Sequence, residues 1–227
     1  MPSVLFVFTS AAKTLTGLPT GWYLPEAAHP YYVLAPHATI DFASPKGPNP
    51  PIDESSIKLF EDDADSVKFL NDETVKAKLA SAKRLTEVDA KDYDAIFYIG
   101  GHGPVIDLAV DPANIELANK FLRSGKIVSA VCHGLAALVG VIDAEGKSIF
   151  AGKNVTGFSN QEEEILGKAK DLPFLTEDRI ISLGGKYSKA DTPYDPKVIV
   201  DGKLLTGQNP SSSGPLGQEI LKALQNV

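Results

Sequence analysis

The chain contains a single cysteine, which lies where an apolar strand passes into a segment that favours a helix. Residues 127–131 have the β-branched character of a buried strand, Cys132, His133 and Gly134 follow directly, and residues 135–139 fit the first turns of a helix. A buried strand that enters a helix through so tight a turn strains the turn residue and points its side chain outward. Serine hydrolases place their nucleophile at such an elbow, and here a thiol occupies that position.

This placement predicts a reactive thiol at Cys132. Amide groups at a helix N-terminus and the helix dipole favour the thiolate, which is the form that attacks carbonyl carbons. The alternative is that Cys132 is a small buried hydrophobic residue, as most free cysteines are. The neighbouring His133 and Gly134 favour the catalytic interpretation, because core packing alone does not call for them.

A glycine-rich loop is predicted to meet this elbow. Residues 94–99 fit another buried strand, which ends in Gly100-Gly101-His102-Gly103. Glycines directly after a strand let the backbone N–H groups approach a ligand closely. An amphipathic helix over 114–123 joins this strand to the next, and such a right-handed crossover brings the carboxyl ends of both strands to one side of the sheet. We therefore expect the loop and Cys132 to share one crevice.

The remaining patterns predict an α/β domain with a mostly parallel sheet. Apolar runs predict strands over 4–8, 38–43, 154–157 and 179–183. Residues 197–207 predict a β-hairpin that turns at Asp201-Gly202, and 215–224 an amphipathic C-terminal helix. Residues 56–85 fit surface helices, and the composition of 44–85 also allows a cap over the site. No internal repeat or linker divides residues 1–227, so we expect one domain.

Composition excludes several classes of protein. The 227 residues are 43% hydrophobic and carry a formal net charge of -7, which argues against binding to a nucleic-acid backbone. One cysteine excludes an internal disulfide framework and fits a reducing compartment. The first residues lack the positive flank of a signal peptide, and no apolar run approaches the length of a membrane span. We expect a cytoplasmic protein, with a nuclear pool also allowed.

Taken together, the motifs resemble those of the DJ-1/PfpI superfamily, and within it the Hsp31-like glutathione-independent glyoxalases of fungi. The resemblance extends over nearly the whole chain. The stretches that carry it are 21–30 with Glu26, 100–103, 131–134, 155–158 with the acids that follow, and 201–210. It implies a flavodoxin-like three-layer α/β sandwich, usually a homodimer, with helices on both faces of the sheet. It also implies a lyase (D-lactate dehydratase, or glyoxalase III) that converts methylglyoxal, a small 2-oxoaldehyde, to D-lactate without glutathione, metal or another cofactor.

The resemblance also implies the site residues. Cys132 would be the nucleophile, His133 the proton shuttle and Glu26 the acid beside the thiol. Glu163 would be the acid that orients His133, and the backbone N–H groups of Gly101 and His133 would hold the oxyanion.

The segment that holds the orienting acid departs from the family pattern. Ser159 stands where the family pattern has proline, and the run Glu162-Glu163-Glu164 leaves the register open by one residue in either direction. Consecutive side chains at the start of a helix point about 100° apart, since a turn takes about 3.6 residues. We therefore expect one of these glutamates to face the elbow and the other two to be solvated.

The chemistry of methylglyoxal suits these residue types. A thiolate adds to the aldehyde to give a hemithioacetal, and one base then moves the C1 proton to C2 through an enediolate. An imidazole that titrates near neutral pH suits this shuttle, a carboxylate fixes its tautomer, and backbone amides stabilise the oxyanion.

Three other functions compete with this interpretation. A glutamine amidotransferase is nearly excluded, because it needs a histidine far downstream of the elbow, and the histidines here are His29, His37, His102 and His133. A cysteine peptidase or deglycase-like hydrolase would use Cys132 and His133 in the same way. A stress-response chaperone or redox sensor would use Cys132 as an oxidation target.

Overall fold

The computed structural model describes residues 1–226 and shows an α/β fold. Its strands are β1 (Ser3–Val7), β2 (Thr39–Ser44), β3 (Lys83–Arg84), β4 (Ala95–Tyr98), β5 (Ile127–Val131), β6 (Asn154–Val155), β7 (Lys186–Tyr187), β8 (Val198–Asp201) and β9 (Leu204–Gly207). Its α-helices are α1 (Leu24–Leu34), α2 (Glu54–Leu59), α3 (Ala64–Asn71), α4 (Glu73–Ala80), α5 (Gly103–Ile106), α6 (Pro112–Arg123), α7 (Asn160–Leu166), α8 (Thr176–Ser182) and α9 (Ser213–Gln225). Among the described residues, no helix has both the length and the apolar character needed to cross a bilayer.

The main sheet has the strand order β3-β2-β1-β4-β5-β9-β8. All neighbouring strands are parallel except β8, which pairs antiparallel with β9. Strands β6 and β7 form a separate two-stranded parallel sheet. The predicted flavodoxin-like class, with a mostly parallel sheet and a hairpin in the C-terminal half, is confirmed. The hairpin connection is Gly202-Lys203, one residue later than the predicted turn, since Asp201 still pairs with Leu204.

Helices cover both faces of the sheet. Strand β1 shows why its apolar run is continuous: Leu5 and Val7 belong to the core on one face, and Val4 and Phe6 to the core on the other. Strands buried on both sides lose the alternation of polar and apolar residues that marks a half-exposed sheet. Helices α1 and α9 pack against each other on one face, whereas α6 covers the opposite face.

Two predicted elements differ from the structure. Residues 179–183 were predicted as a strand, but 179–182 form the C-terminal part of α8 and Leu183 is its C-cap. Ile180 is buried and Ile181 is 51% exposed. A buried residue next to an exposed one looks like the alternation of a strand when the run is this short. The elbow segment, predicted as the first turns of a helix, is helical over Cys132–Leu138 but of the 3-10 type.

Candidate active site

The elbow holds Cys132 in a strained conformation. Cys132 has a φ of 58°, in the left-handed region that costs a residue with a side chain roughly 1–3 kcal/mol. Gly134 lies so close to β4 that an added Cβ would come within 2.5 Å of the Tyr98 carbonyl oxygen. The close approach of β4 therefore requires glycine two residues after the thiol.

The glycine-rich loop meets the elbow, as the crossover predicted. Gly101 has a φ of 93°, and an added Cβ at Gly100 would clash with Glu26 Oε2 and with Cys132. Together the loop and the elbow form the floor of a cavity of about 380 Å³. Its lining residues are Tyr23, Glu26, Asp53, Ser55, Leu59, Phe60, Gly101, His102, Cys132, His133, Phe158, Leu166, Lys168, Tyr194, Pro210 and Ser211.

A relay of side chains leads away from the thiol. Cys132 Sγ lies 3.4 Å from His133 Nδ1, and His133 Nε2 lies 2.6 Å from Glu163 Oε2. All three residues are buried. The structure thus brings together the nucleophile, the imidazole and the carboxylate that the sequence proposed, with Glu163 as the member of the glutamate run that contacts His133.

The electrostatics of the relay assign its protons. Burial raises the pKa of Glu163, but the hydrogen bonds that it accepts from His102 and His133 outweigh burial and hold the pKa well below its usual range. Burial, with the repulsion from His102, lowers the pKa of His133 to about 4 even though Glu163 opposes the shift. At neutral pH, His133 is therefore neutral, its Nε2–H donates to the Glu163 carboxylate, and the Nδ1 lone pair faces the thiol.

Glu26 lies on the other side of the thiol and is fully buried. Burial raises its pKa to about 8, although the nearby Cys132 thiol and the Gly100 N–H partly oppose the shift. Neither carboxyl oxygen makes a hydrogen bond of ordinary geometry. At neutral pH, Glu26 is therefore mainly a neutral carboxylic acid, which has a proton to donate.

The thiol at rest differs from the sequence-based expectation of a thiolate. Burial raises the pKa of Cys132 well above its usual value, and the charged form of Glu26 raises it further. The hydrogen bond from the His133 backbone opposes this shift but is too weak to reverse it. Cys132 is therefore a neutral thiol at neutral pH.

His102 is a site residue that the sequence reasoning did not assign. Its Nε2 lies 3.0 Å from Glu163 Oε1, so Glu163 binds one histidine at each oxygen. The rings of His102 and His133 have centres 4.3 Å apart. The available signal was the histidine inside the Gly-Gly-His-Gly loop, which follows a strand at the predicted crevice.

Glu162 was expected to be solvated, and this was wrong. It is fully buried and accepts hydrogen bonds from Ser159, from the side chains of Gln208 and Asn209, and from the backbone N–H of Tyr194. Ser159 and Glu162 form a capping box at the start of α7, which the sequence pattern Ser-x-x-Glu could have indicated. Only Glu164 of the three glutamates is exposed.

His102, His133 and Glu163 also form a group of possible metal ligands. One ligand atom from each of His102, His133 and Glu163 can be chosen so that all lie within 4.8 Å of one another. Both Nε2 atoms carry protons that they donate to Glu163, and a metal can bind only a deprotonated nitrogen. Metal binding at Nε2 would therefore require both imidazoles to move their protons to Nδ1.

The geometry and the relatives define the same class of protein. The family model described as "DJ-1/PfpI family" matches residues 25–223, and the chain belongs to this family. It is 34% identical over 218 residues to the glutathione-independent glyoxalase HSP31 of Saccharomyces cerevisiae, and the match covers 92% of each chain. It is 30% identical to Glyoxalase 3 of Candida albicans, with 99% of each chain covered.

Solved structures agree over the full length. The 24-kDa rapid encystment protein of Francisella tularensis superimposes with a TM-score of 0.93 at 36% identity, covering 99% of both chains. Glyoxalase III of Candida albicans superimposes with a TM-score of 0.88 at 27% identity, covering 98% of this chain and 97% of that one.

Proposed function

We propose that this chain is a glutathione-independent glyoxalase, a lyase that converts methylglyoxal to D-lactate. The observation that carries the proposal is the relay from Cys132 through His133 to Glu163 at the floor of a small cavity. Relatives with the same fold, which match nearly the whole chain, bear the name glyoxalase. The chain supplies its own thiol to the aldehyde, so glutathione has no chemical role at this site.

The first step is addition of the thiol to the aldehyde carbon. Cys132 Sγ forms the new bond as its proton passes to His133 Nδ1, 3.4 Å away. The imidazolium then gives this proton to the former carbonyl oxygen, which becomes the hemithioacetal hydroxyl and leaves His133 neutral. Backbone N–H groups of Gly101 and His133 would stabilise the developing oxyanion, which is often the largest single contribution to catalysis. The Glu163 carboxylate stabilises the imidazolium while it exists.

The second step is isomerisation to a thioester. Neutral His133 removes the proton from C1, an enediolate forms, and the imidazolium returns the proton to C2. Positioned general bases contribute about 10²–10⁴-fold to such steps. Water then attacks the 2-hydroxyacyl thioester, which releases lactate and restores the thiol.

Glu26 favours the thiolate through its own neutral form. As a protonated carboxyl beside Cys132, it can donate a hydrogen bond to sulfur without adding a negative charge. In this form it also avoids the desolvation cost of a buried, unpaired carboxylate.

Further features of the proposal come from the resemblance and from the cavity walls. The cavity is lined in part by Asp53, Ser55, Leu59 and Phe60. We therefore propose that residues 44–85 form a cap over the site. We also propose that residues 1–227 form one domain, to which this cap belongs. We also propose a homodimer with a small 2-oxoaldehyde as its substrate, located in the cytoplasm.

The redox-sensor function is less well supported. A reactive sensor thiol needs thiolate character, whereas burial raises the pKa of Cys132. The cavity volume of about 380 Å³ falls within the range of roughly 300–1,000 Å³ typical of small-molecule sites.

The decisive experiment measures D-lactate formation from methylglyoxal by the purified protein in the absence of glutathione. The wild type should turn over, and Cys132→Ser should lose nearly all activity, because a hydroxyl is a much poorer nucleophile at neutral pH. Thermal unfolding of both proteins checks that the variant is folded. Absence of D-lactate with the wild type, or full activity of the folded variant, would refute the proposal.

A further inference from the structure

The relay described above leaves one buried histidine of the cavity without a chemical role. His102 follows the glycines that end β4 and lines the cavity beside Cys132 and His133. It is only 6% exposed. Its Nε2 lies 3.0 Å from Glu163 Oε1, and its ring faces that of His133 with centres 4.3 Å apart.

The hydrogen bonds to Glu163 fix the tautomer of His102. Two histidine donors hold the pKa of Glu163 well below its usual range, so the carboxylate only accepts hydrogen bonds. The nitrogen of each ring that meets this carboxylate, Nε2, therefore carries a proton, and the second basic position of each imidazole is Nδ1. In His133 this Nδ1 faces the Cys132 thiol.

The corresponding nitrogen of His102, Nδ1, has no hydrogen-bond partner among the described residues, 1–226. It is not one of the fully buried polar atoms that lack a partner, so part of its surface is accessible. Because His102 lines the cavity, we infer that this accessible nitrogen faces it. The site therefore offers a substrate two basic nitrogens, both supported by one carboxylate.

Isomerisation of a hemithioacetal moves two protons. One passes from carbon C1 to carbon C2, and its removal creates the C1–C2 double bond as the C2 carbonyl becomes an alkoxide. The other passes from the C1 hydroxyl to the oxygen on C2, which allows a C1 carbonyl to form and the electron pair to return to C2. His133 holds only one of these protons at a time.

We propose that His102 is a second catalytic base, whose Nδ1 relays the proton of the C1 hydroxyl to the oxygen on C2 while His133 carries the carbon-bound proton. This inference rests on the proposed glyoxalase function. Atoms and charges balance, because both imidazoles end neutral and the hemithioacetal becomes its isomeric 2-hydroxyacyl thioester. The single charge of Glu163 compensates the imidazole that is protonated at a given moment.

His102→Gln separates this function from a purely structural one. The glutamine amide can still donate to Glu163 Oε1, but it has no basic nitrogen to place in the cavity. A proton relay predicts a fall in kcat of about 10²-fold or more, with the Cys132–methylglyoxal adduct still detected by mass spectrometry. If His102 only supports Glu163, then His102→Gln should be nearly as active as the wild type and His102→Ala much less active.

His29→Gln is the matched control. His29 Nε2 also binds a carboxylate oxygen, Asp63 Oδ2 at 2.9 Å, but His29 does not line the cavity. The same substitution there should leave kcat and KM unchanged. Thermal unfolding of each variant separates loss of fold from loss of chemistry.

Chemical rescue provides a second test that does not depend on how well glutamine fits. His102→Ala leaves space for added imidazole or 1,2,4-triazole, which have similar shapes but very different basicities. A proton relay follows base strength, so imidazole should restore kcat and triazole should not. Equal rescue by both, or a His102→Gln variant within about twofold of the wild type, would overturn the inference while leaving the glyoxalase function intact. A wild type that makes no D-lactate would refute both.

Discussion

The backbone N–H of Tyr194 donates to Glu162 Oε1 over 2.9 Å, and this bond joins a wall of the cavity to the helix that carries Glu163. Tyr194 has a φ of 66°, a conformation that a residue with a side chain adopts only when its surroundings hold it. Glu162 supplies that restraint, and it also binds the side chains of Gln208 and Asn209. The acid next to Glu163 in the sequence therefore shapes the cavity without contacting the relay.

We expect Glu162→Gln to weaken binding and stability more than it weakens chemistry. The glutamine NH₂ group would face donors that now meet carboxylate oxygens, and each buried polar group left unpaired costs about 1–3 kcal/mol. The melting temperature should fall and KM should rise, with a smaller change in kcat. Glu164→Gln, at an exposed position of the same helix, should change none of these quantities.

Glu163→Gln should act in the opposite manner, mainly on kcat. An amide cannot accept from both His133 and His102 while also compensating an imidazolium, so the proton shuttle should slow by about 10²-fold or more. Steady-state kinetics of this variant beside Glu164→Gln checks the expectation. Equal and small losses in both variants would mean that the carboxylate partner of His133 lies elsewhere, with Glu26 the next residue to examine.

His133→Ala should lose turnover but still form a covalent adduct. Addition of the thiol and transfer of the C1 proton are separate steps: without His133 the thiol can still add slowly by giving its proton to water, whereas transfer of the C1 proton loses its base. Mass spectrometry of the variant after incubation with methylglyoxal should show a mass increase at Cys132. If no adduct forms while an alkylating reagent still modifies Cys132, then addition also depends on His133.

Activity should fall on the alkaline side as Glu26 loses its proton. Burial raises the pKa of Glu26 to about 8, so the neutral acid beside Cys132 persists below that pH and becomes a carboxylate above it. The new charge raises the pKa of the thiol and opposes formation of the thiolate. A pH profile of kcat/KM should therefore show an alkaline limb near pH 8. Glu26→Gln, which stays neutral, should remove this limb or move it to higher pH.

Gly134→Ala should destabilise the fold at the elbow. The new Cβ would lie 2.5 Å from the Tyr98 carbonyl oxygen in the neighbouring strand, which cannot move without disturbing the sheet. Overpacking of this kind costs roughly 1–3 kcal/mol or more. Chemical denaturation should show the loss. Gly214→Ala is the control, because its Cβ would meet only His29 at an ordinary distance of 3.9 Å.

The sequence was sufficient for those features that depend on local pattern and topology. Continuous apolar runs predicted β1, β4 and β5, and the crossover through α6 predicted that Cys132 and Gly101 would share a crevice. The sequence was not sufficient to predict which polar side chains are buried by residues far along the chain. Glu162 belongs to an acidic run that looks solvated, and its partners Gln208 and Asn209 lie far along the chain. The expectation of a thiolate at Cys132 was wrong for the same reason, because the assembled core determines both the burial of Cys132 and the protonation of Glu26.

The strand order has a consequence for how the chain assembles during synthesis. The strand β5, which ends just before Cys132, lies between β4 and β9, and β9 is formed by Leu204–Gly207, far along the chain from β5. Until those residues leave the ribosome, β5 is an open sheet edge, which is prone to pair with other chains. The edge of β5 that precedes the Cys132 thiol is thus covered only after residues 204–207 have been synthesised. Nascent chains that stall before residue 204 would present an exposed edge strand and an accessible cysteine at the same place.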